Sequence, residues 1–240
     1  MENSVENVHN YVNLINFKGV DKMNNKQNDK KISNAVIRRL PRYFRYLREL
    51  IRNDIMRISS RELSEKMNIT ASQIRQDLNC FGGFGQQGYG YNVKFLYSEI
   101  SHILGVDNGL TAIIVGIGNV GKALVNNPLF EKRGINVKGL FDTDPNVIGT
   151  TFGDLTVLDA KDMTSFCKEN NIDIAVLTIP KTAAKDTLAV LAETGIRGIW
   201  NFSNAEISCP EGKNIKIENV HLGDSLMSLC YEVALEKENQ

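Results

Sequence analysis

The sequence predicts an α/β protein made of an N-terminal winged-helix domain and a C-terminal Rossmann-like, doubly wound parallel sheet. Basic helical segments precede a glycine-rich stretch at residues 82–91. An apolar strand leads into a Gly-x-Gly-x-x-Gly motif at residues 116–121. Apolar strands then alternate with helices over residues 110–222, the pattern of a parallel sheet covered by helices.

Charge is divided unevenly along the chain, although the formal net charge is zero. Residues 31–95 hold 12 Lys and Arg against 5 Asp and Glu, whereas residues 96–240 hold 12 against 19. This division indicates a module that binds a polyanion, joined to a second unit. The alternative is that the basic side chains only solvate a helical surface.

The composition excludes membrane and secreted classes. No apolar run approaches the roughly 18 residues of a membrane span, and the chain begins without the basic and apolar regions of a secretory signal. We therefore expect a cytoplasmic protein that does not contact a membrane. The cysteines show no CxxC spacing, so we expect free thiols and no metal site. They are Cys80, Cys167, Cys209 and Cys230.

Patterning divides the chain into four parts. Residues 1–30 are polar and rich in Asn and Lys, so we expect a disordered extension. Residues 31–105 hold the basic helical module and a linking helix, and residues 106–222 hold the sheet domain. Residues 223–240 form a last helix.

Two short helices joined by a tight turn are predicted within the basic module. Ser59 and Glu62 have the spacing of a capping box, and Thr70 with Gln73 repeats it. The second helix, residues 71–80, is apolar on one face only. This arrangement is typical of a helix-turn-helix, although any helical hairpin can show it.

The polar face of the second helix can read base edges, and its Arg75 suits a guanine. Upstream, residues 33–52 read as a packing helix that Pro41 kinks or divides. Its arginines, Arg42 among them, are expected to hold DNA phosphates. The predicted base-reading residues are Ser72, Gln73, Arg75 and Gln76.

The glycine-rich stretch GGFGQQGYGY at residues 82–91 suits the tip of a β-ribbon. Because it follows a candidate recognition helix, we interpret it as a wing. Its predicted DNA contacts are Gln87, Gly88 and Tyr89, and the alternative is a flexible linker.

A linking helix is predicted over residues 92–105. Asn92 is its N-cap and Gly105 ends it. Phe95 is placed with the apolar residues that face inward.

Residues 111–124 read as a buried strand, a glycine loop and a helix. Gly116 permits the tight turn, Gly118 lets the backbone approach a pyrophosphate, and Gly121 lets helix and strand pack closely. The helix N-terminus adds N–H groups directed at phosphate. The predicted loop comprises Gly116, Ile117, Gly118, Asn119, Val120 and Gly121.

Asp142 ends the next strand, 21 residues after Gly121. A carboxylate there can accept from both adenosine ribose hydroxyls and repels a 2′-phosphate, which favours NAD(H) over NADP(H).

Thr178 and Pro180 end a further strand on the side where such sheets bind ligands. Phe202 ends another and is expected against a nicotinamide ring, unless it is only a core residue. For the whole domain, the alternative is an α/β core with a degenerate site.

A dehydrogenase needs an acid or base beside the nicotinamide, and the chain offers few candidates. His9 lies in the N-terminal extension, His102 in the linking helix and His221 after the last strand. A substantial second domain for a substrate is also missing. We therefore expect a dinucleotide receptor with no catalytic residues.

Taken together, the motifs resemble the Rex family of bacterial redox-sensing transcriptional repressors. The likeness extends from about Ser33 to Leu235. The segments that carry it are RRLPRYFRYL, SQIRQDLNCFGGFGQQGYGYNV, VGIGNVGKAL, FDTDPNVIG, LTIP, GIRGIWNF and LMSL.

The resemblance implies a homodimer on a palindromic operator in double-stranded DNA, displaced by NADH and permitted by NAD⁺. It places the glycine fingerprint on residues 116–121, the ribose-binding acid on Asp142 and the nicotinamide-side aromatic on Phe202. The helix-turn-helix falls on about residues 43–82. The last helix, about residues 224–237, is implied to be exchanged with the partner subunit.

The chain departs from the family in its DNA-binding residues. Gln86 and Gln87 stand where family wings commonly carry basic residues, and Gln76 stands where a second basic residue is frequent. Cys80 replaces a usual aromatic, which suggests either an oxidisable thiol or an inert buried one.

The chain also departs from the family at its switch. Family members pair an Asp at the start of the last helix with a Tyr of the first nucleotide-domain helix in a redox-dependent contact. His221 and Asn127 occupy those positions here. Arg45, the expected ionic partner of that Asp, is present.

We expect a repressor in which NADH and NAD⁺ close the paired nucleotide domains differently and so change the spacing of the winged helices on DNA. One rival is an NAD-dependent oxidoreductase with an appended helical domain, which turnover of NADH with a small carbonyl would support. The other is a CoA-binding protein similar to the CoA-binding domain of succinyl-CoA synthetases. Asp142 argues against it, because the 3′-phosphate of CoA sits near that ribose.

Overall fold

The structure, a computed structural model, describes residues 33–79, 85–86 and 89–238. The expected disorder of residues 1–30 and the predictions for Cys80, Gln87 and Gly88 lie outside the described residues. In the described ranges, no helix is long and apolar enough to cross a membrane.

The N-terminal part combines helices with a small antiparallel sheet, in the element order of a winged helix. Its elements are α1 (Asn34–Arg52), β1 (Arg57–Ile58), α2 (Ser60–Met67), α3 (Ala71–Asn79), β2 (Gly85–Gln86), β3 (Gly90–Asn92) and α4 (Val93–Leu104).

Helix α1 begins at a side-chain cap and continues through a proline. The Ser33 side chain accepts a hydrogen bond from the Val36 N–H. Pro41 lies inside the helix with its ring exposed, so it does not divide α1 into two segments. The buried stripe of α1 forms the base on which α2, α3 and α4 pack. It comprises Val36, Leu40, Tyr43, Phe44, Leu47 and Leu50.

The predicted helical hairpin is present, with one difference at its second cap. Ser59 Oγ accepts from Glu62 N at 3.1 Å and Ser59 N donates to Glu62 Oε2 at 2.7 Å, a complete capping box. Thr70 Oγ1 accepts from Gln73 N at 3.1 Å. Gln73 differs from Glu62 in that its side chain is bound to Asp77, with the amide nitrogen donating to Asp77 Oδ1 at 2.8 Å.

The wing is a short antiparallel sheet with β3 in the centre, paired with β1 on one side and β2 on the other. Gly90 has a φ of +70°, and a Cβ there would lie 2.7 Å from the Ile58 carbonyl oxygen. A side chain at this position would therefore push β1 and β3 apart.

Strand β3 continues without a break into α4. Asn92 ends the strand and caps the helix, its side chain accepting from Phe95 N at 3.0 Å. Gly105 ends the helix in the left-handed conformation, as predicted. The inward placement of Phe95 is wrong, since its side chain is 52% exposed. The helix buries Val93, Leu96 and Ile100 instead, a face that excludes position 95.

The C-terminal part alternates strands and helices. Its elements are β4 (Thr111–Val115), α5 (Asn119–Val125), β5 (Asn136–Asp142), β6 (Thr151–Phe152), β7 (Leu155–Asp159), α6 (Met163–Glu169), β8 (Ile174–Leu177), α7 (Ala184–Leu191), β9 (Gly198–Asn201), β10 (Lys216–Asn219) and α8 (Leu222–Glu238).

The sheet has the order β10-β9-β8-β4-β5-β7-β6 and is parallel except at β6. The chain runs outward from β4 through β5 and β7, then returns to the other side of β4 through β8, β9 and β10. The order therefore reverses at β4, and the crevice beyond the carboxyl ends of the strands at such a point is where these sheets bind ligands.

Candidate dinucleotide site and DNA-binding surface

The glycine loop leaves the carboxyl end of β4 and turns sharply at its first residue. Gly116 has a φ of +91°, and its N–H donates to the Phe141 carbonyl at 2.7 Å. A Cβ at this position would lie 2.7 Å from the Ile179 side chain and 2.8 Å from the Thr178 carbonyl. Only glycine fits here, because the backbone conformation and the space both exclude a side chain.

The other two glycines differ in what surrounds them. A Cβ on Gly121 would lie 2.1 Å from the Gly116 carbonyl oxygen, so helix and loop touch there. A Cβ on Gly118 would meet no atom of the protein within 4 Å. Its missing side chain leaves space outside the protein surface, beside the exposed Asn119 and Val120, where a pyrophosphate can approach the backbone.

Asp142 ends β5 beside the glycine loop and is fixed by backbone N–H groups. Its Oδ2 accepts from Ile117 N at 2.6 Å, and its Oδ1 accepts from Thr143 N at 2.7 Å and Asp144 N at 2.9 Å. A carboxylate has about four lone-pair sites, so acceptor capacity remains for a hydroxyl of a bound ribose. The glycine loop and the predicted ribose ligand are thus joined directly.

Thr178 closes the opposite side of the loop. Its hydroxyl donates towards the Val115 and Gly116 carbonyls, while its N–H donates to Val115 O at 2.9 Å. Pro180 lies just beyond on the exposed edge. Phe202, half buried, stands at the end of β9, and its ring packs edge-on against Trp200 with centroids 4.5 Å apart. Phe202 thus packs against the core and also follows the carboxyl end of β9, the edge at which such sheets bind ligands.

The outer face of α3 offers several of its predicted base-reading side chains to solvent. Ser72, Arg75 and Gln76 are exposed, and Arg75 Nη1 donates to Ser60 Oγ at 3.1 Å. Gln73 is half buried and bound to Asp77, so it is less available than the sequence suggested. Tyr89 on the wing is 69% exposed, and the Arg57 guanidinium lies 6.0 Å from its ring centroid.

Two arginines of α1 make contacts within the domain. Arg42, predicted to hold phosphate, donates from Nη2 to the Met67 carbonyl at 2.5 Å and so satisfies the end of α2. Arg39 forms a two-point ion pair with Asp77, with Nε–Oδ2 and Nη2–Oδ1 distances of 2.7 Å. The sequence pattern gave no sign of this pair, because its members lie 38 positions apart.

Burial raises the pKa of Asp77, but hydrogen bonds from Arg39, Gln73 and Tyr43 outweigh it and lower the pKa below its ordinary value. The Tyr43 hydroxyl donates to Asp77 Oδ2 at 3.0 Å, and burial raises the pKa of that phenol. Asp77 is therefore an ionised carboxylate that fixes α3 on α1.

Arg133, from the segment that precedes β5, connects the nucleotide domain to α1. Its guanidinium lies 5.7 Å from the ring centroid of Phe44, which stacks on Tyr97 of α4 at 4.6 Å. Burial lowers the pKa of Arg133, and the nearby Arg48 and Arg45 lower it further. Through this contact the nucleotide domain touches α1, the helix on which α3 packs.

Helix α8 carries its apolar side chains on the surface of the protomer. Exposed large apolar residues within it are Leu222, Leu226, Met227, Leu229, Tyr231, Val233 and Leu235. A face of this size needs a partner surface, because short isolated helices are marginal in water.

Curated relatives share more than half of their sequence with this chain. A redox-sensing transcriptional repressor Rex of Thermoanaerobacter pseudethanolicus is 53% identical over 207 residues, which are 86% of this chain and 92% of the relative. One from Clostridium botulinum strain Hall is 54% identical over 200 residues, 83% of this chain and 94% of the relative. The chain belongs to the Rex family of redox-sensing transcriptional repressors.

Solved Rex-family structures agree with the fold. A crystal structure of RSP in complex with β-NAD⁺ and operator DNA matches with a TM-score of 0.80 and 52% identity, over 86% of this chain and 94% of that chain. RSP in complex with β-NADH matches with a TM-score of 0.79 and 49% identity, over 86% and 96%. The prediction of a winged-helix domain joined to a Rossmann-like sheet is confirmed.

Two family models match parts of this Rex-family chain. "Putative DNA-binding protein N-terminus" matches residues 31–79, and "CoA binding domain" matches residues 107–205. Because its relatives over nearly the whole length are repressors, the chain is a regulator and not an enzyme. Among the described residues, no group of three His, Cys, Asp or Glu side chains could hold a metal ion.

Proposed function

We propose that this repressor senses the ratio of NADH to NAD⁺ in the cytoplasm, binding operator DNA when NADH is low and releasing it when NADH binds. The observation that carries the proposal is the contact between Asp142 and the glycine loop, at the point where the strand order reverses. A relative that is 52% identical was crystallised with β-NAD⁺ and operator DNA, which supports both ligands.

The residues present fit a dinucleotide. Gly118 leaves the loop open to a pyrophosphate, and Asp142 retains acceptor capacity for a ribose hydroxyl. Phe202 offers an aromatic ring after β9, which lies two strands from β4 in the sheet. The carboxylate of Asp142 would repel a 2′-phosphate, so the site favours NAD(H). When bound, the cofactor supplies a nicotinamide whose charge and planarity change on reduction.

DNA binding is assigned to the exposed face of α3 and to the wing. The exposure of Arg75, Ser72 and Gln76 on α3 supports base reading by this face, and the exposed Tyr89 supports a contact from the wing. The operator is palindromic in this proposal, because a homodimer presents two copies of α3 related by a two-fold axis.

The homodimer is held by α8, which exchanges between subunits. Its exposed apolar face provides the support, since exchange onto a second copy would bury that face. The cofactor changes how the paired sheet domains close, and the contact of Arg133 with Phe44 passes that change to α1. A coupling free energy of about 1–3 kcal/mol would alter operator affinity about 5–150-fold.

The proposal is tested by selecting operators from a random duplex pool with the full-length protein and then titrating binding with NADH, NAD⁺, NADPH and CoA. NADH should weaken operator binding, NAD⁺ should preserve it, and NADPH and CoA should act only at far higher concentrations. Release by CoA at lower concentration than by NADH would favour the CoA-binding alternative. Insensitivity to all four would contradict the proposal.

A further inference from the structure

We propose that Glu206 is a positioning residue that, through His221, ties the cofactor edge of the sheet to the first turn of α8. The inference deepens the proposed function, on which it rests, by naming the contact that transmits the state of the site to the dimerisation helix. Three consecutive sets of hydrogen bonds carry it.

The first set fixes the backbone that follows β9. Asn201 is 1% exposed and directly precedes Phe202, the residue expected at the nicotinamide. Its Nδ2 donates to the Ala205 carbonyl at 2.7 Å, and its Oδ1 accepts from Ser203 N at 3.1 Å and Ser203 Oγ at 2.6 Å. Because these buried bonds close the turn on itself, a displacement of Phe202 moves residues 203–206 with it.

The second set joins this turn to β10. Asn201 Nδ2 also donates to Asn219 Oδ1 at 2.8 Å. Asn219 Nδ2 in turn donates to Glu206 Oε1 at 3.1 Å and to the Ile207 carbonyl at 3.0 Å. One oxygen of the Glu206 carboxylate is therefore held by a side chain whose own position depends on Asn201.

The third set reaches α8. The second oxygen of Glu206, Oε2, lies 3.0 Å from His221 Nε2. A carboxylate only accepts, so the ring nitrogen is the donor. The His221 carbonyl accepts from Asp224 N at 3.2 Å, within the first turn of α8. Glu206 is thus bound on one side by the strand edge and on the other by the residue that precedes the helix.

The location explains why a pair with a largely exposed carboxylate can matter. The side chains of Glu206 and His221 are 79% and 31% exposed, so their bond adds little to the stability of the fold. It lies at the pivot of a 17-residue helix whose exposed apolar face must meet a partner surface. A small change of direction at the first turn is therefore magnified along α8.

The experiment compares Glu206→Ala and His221→Ala with the wild-type homodimer, with Glu211→Ala as matched control on the same exposed segment. NADH affinity is measured by fluorescence titration, and operator affinity is measured with and without saturating NADH. We expect both variants to bind NADH and, without it, operator within about twofold of wild type. In coupled sites NADH is expected to lower operator affinity by about 5–150-fold. In each alanine variant this factor should be at least three times smaller than in the wild type.

Two further variants exclude a merely structural effect. His221→Gln keeps a side-chain amide donor for Glu206 and should restore most of the NADH effect. The double variant Glu206→Ala with His221→Ala should be no worse than either single change, because both remove the same contact. Additive losses, or a failed rescue, would overturn the inference.

The outcomes separate the two proposals. If NADH releases the wild-type protein and the alanine variants equally, this inference is overturned and the proposed function stands. If NADH does not release the wild-type protein, the proposed function fails and no coupling exists for Glu206 to carry.

Discussion

The guanidinium of Arg39 donates two hydrogen bonds of 2.7 Å each to the carboxylate of Asp77, which is completely buried. One residue belongs to α1 and the other to α3, so the pair holds α3 at a fixed angle on α1. Tyr43 and Gln73 occupy the remaining acceptor positions of the carboxylate. Full satisfaction of its acceptors allows a charge to remain in this core.

Arg39→Ala should destabilise the N-terminal domain by about 3–5 kcal/mol, because it leaves a buried carboxylate without its counter-charge. Urea unfolding followed by circular dichroism measures the change. Arg38→Ala is the matched control, since that neighbouring side chain is exposed, and should stay within about 0.5 kcal/mol of wild type. A loss below about 1 kcal/mol for Arg39→Ala would contradict the structural role of the pair.

The lowered pKa of Asp77 predicts a specific acid sensitivity. The folded-state pKa lies below the unfolded value of about 3.9, so the stabilisation is complete above about pH 4 and is lost as pH falls through the folded-state pKa. The free energy of unfolding should therefore decrease with acidification below about pH 4. Asp77→Asn should be less stable than wild type at neutral pH. Below about pH 4 its free energy of unfolding should depend less steeply on pH. Parallel slopes for the two proteins would refute the assignment.

Asp142→Ala should weaken NADH binding, because the ribose hydroxyls lose a charge-assisted acceptor worth about 1.5–3 kcal/mol. Operator binding without cofactor should survive. The preference for NADH over NADPH should narrow, since the repelling carboxylate is gone. Asp154→Ala, at an exposed turn, serves as control. Normal NADH affinity in a fluorescence titration of Asp142→Ala would show that this residue is not the ribose ligand.

Arg75→Ala should lose sequence preference, at a cost of about 1–3 kcal/mol at one base pair, if the side chain reads a guanine. Arg42→Ala should weaken binding to all duplexes and flatten its salt dependence. Arg42 also binds the Met67 carbonyl. The free energy of unfolding of Arg42→Ala must therefore be measured in parallel, so that a loss of stability is not taken for a loss of phosphate contact. Equal losses from both variants on specific and random duplexes would remove the distinction between their roles.

Deleting the residues after Gly223 should weaken the dimer and uncouple operator binding from NADH, because the exposed apolar face of α8 is the proposed contact with the second subunit. Analytical ultracentrifugation measures the association, and operator titration measures the coupling. If α8 instead packs within its own subunit, the truncated protein loses stability but remains dimeric. A folded dimer still released by NADH would show that α8 does not carry the signal.

Local patterns predicted most of the architecture. Capping residues such as Ser59 and Asn92 act on N–H groups three positions away, so their spacing is visible in the sequence. The glycine fingerprint and Asp142 were also recognisable, because strand ends and tight turns impose residue types. The short strands β6 and β10 were not anticipated, since two to four residues give little alternation to detect.

Contacts between distant segments could not be predicted in the same way. Asp77 lies beside Leu78 in a helix whose pattern gives no reason for a buried charge, and its partner is 38 residues away. Glu206 and His221 are likewise brought together only by the parallel pairing of β9 and β10. Such pairs depend on tertiary geometry, which periodicity does not encode.

The wing is joined rigidly to α4, because β3 continues directly into that helix. Asn92 is both the last residue of the strand and the cap of the helix, so no flexible segment separates them. The 12 residues of α4 span about 18 Å at about 1.5 Å per residue. A rotation of about 10° around the Gly105 end therefore carries the wing through about 3 Å, as much as the full length of a hydrogen bond to a phosphate. If the wing contacts DNA as proposed, a rotation of α4 that leaves the fold unchanged would be enough to break that contact.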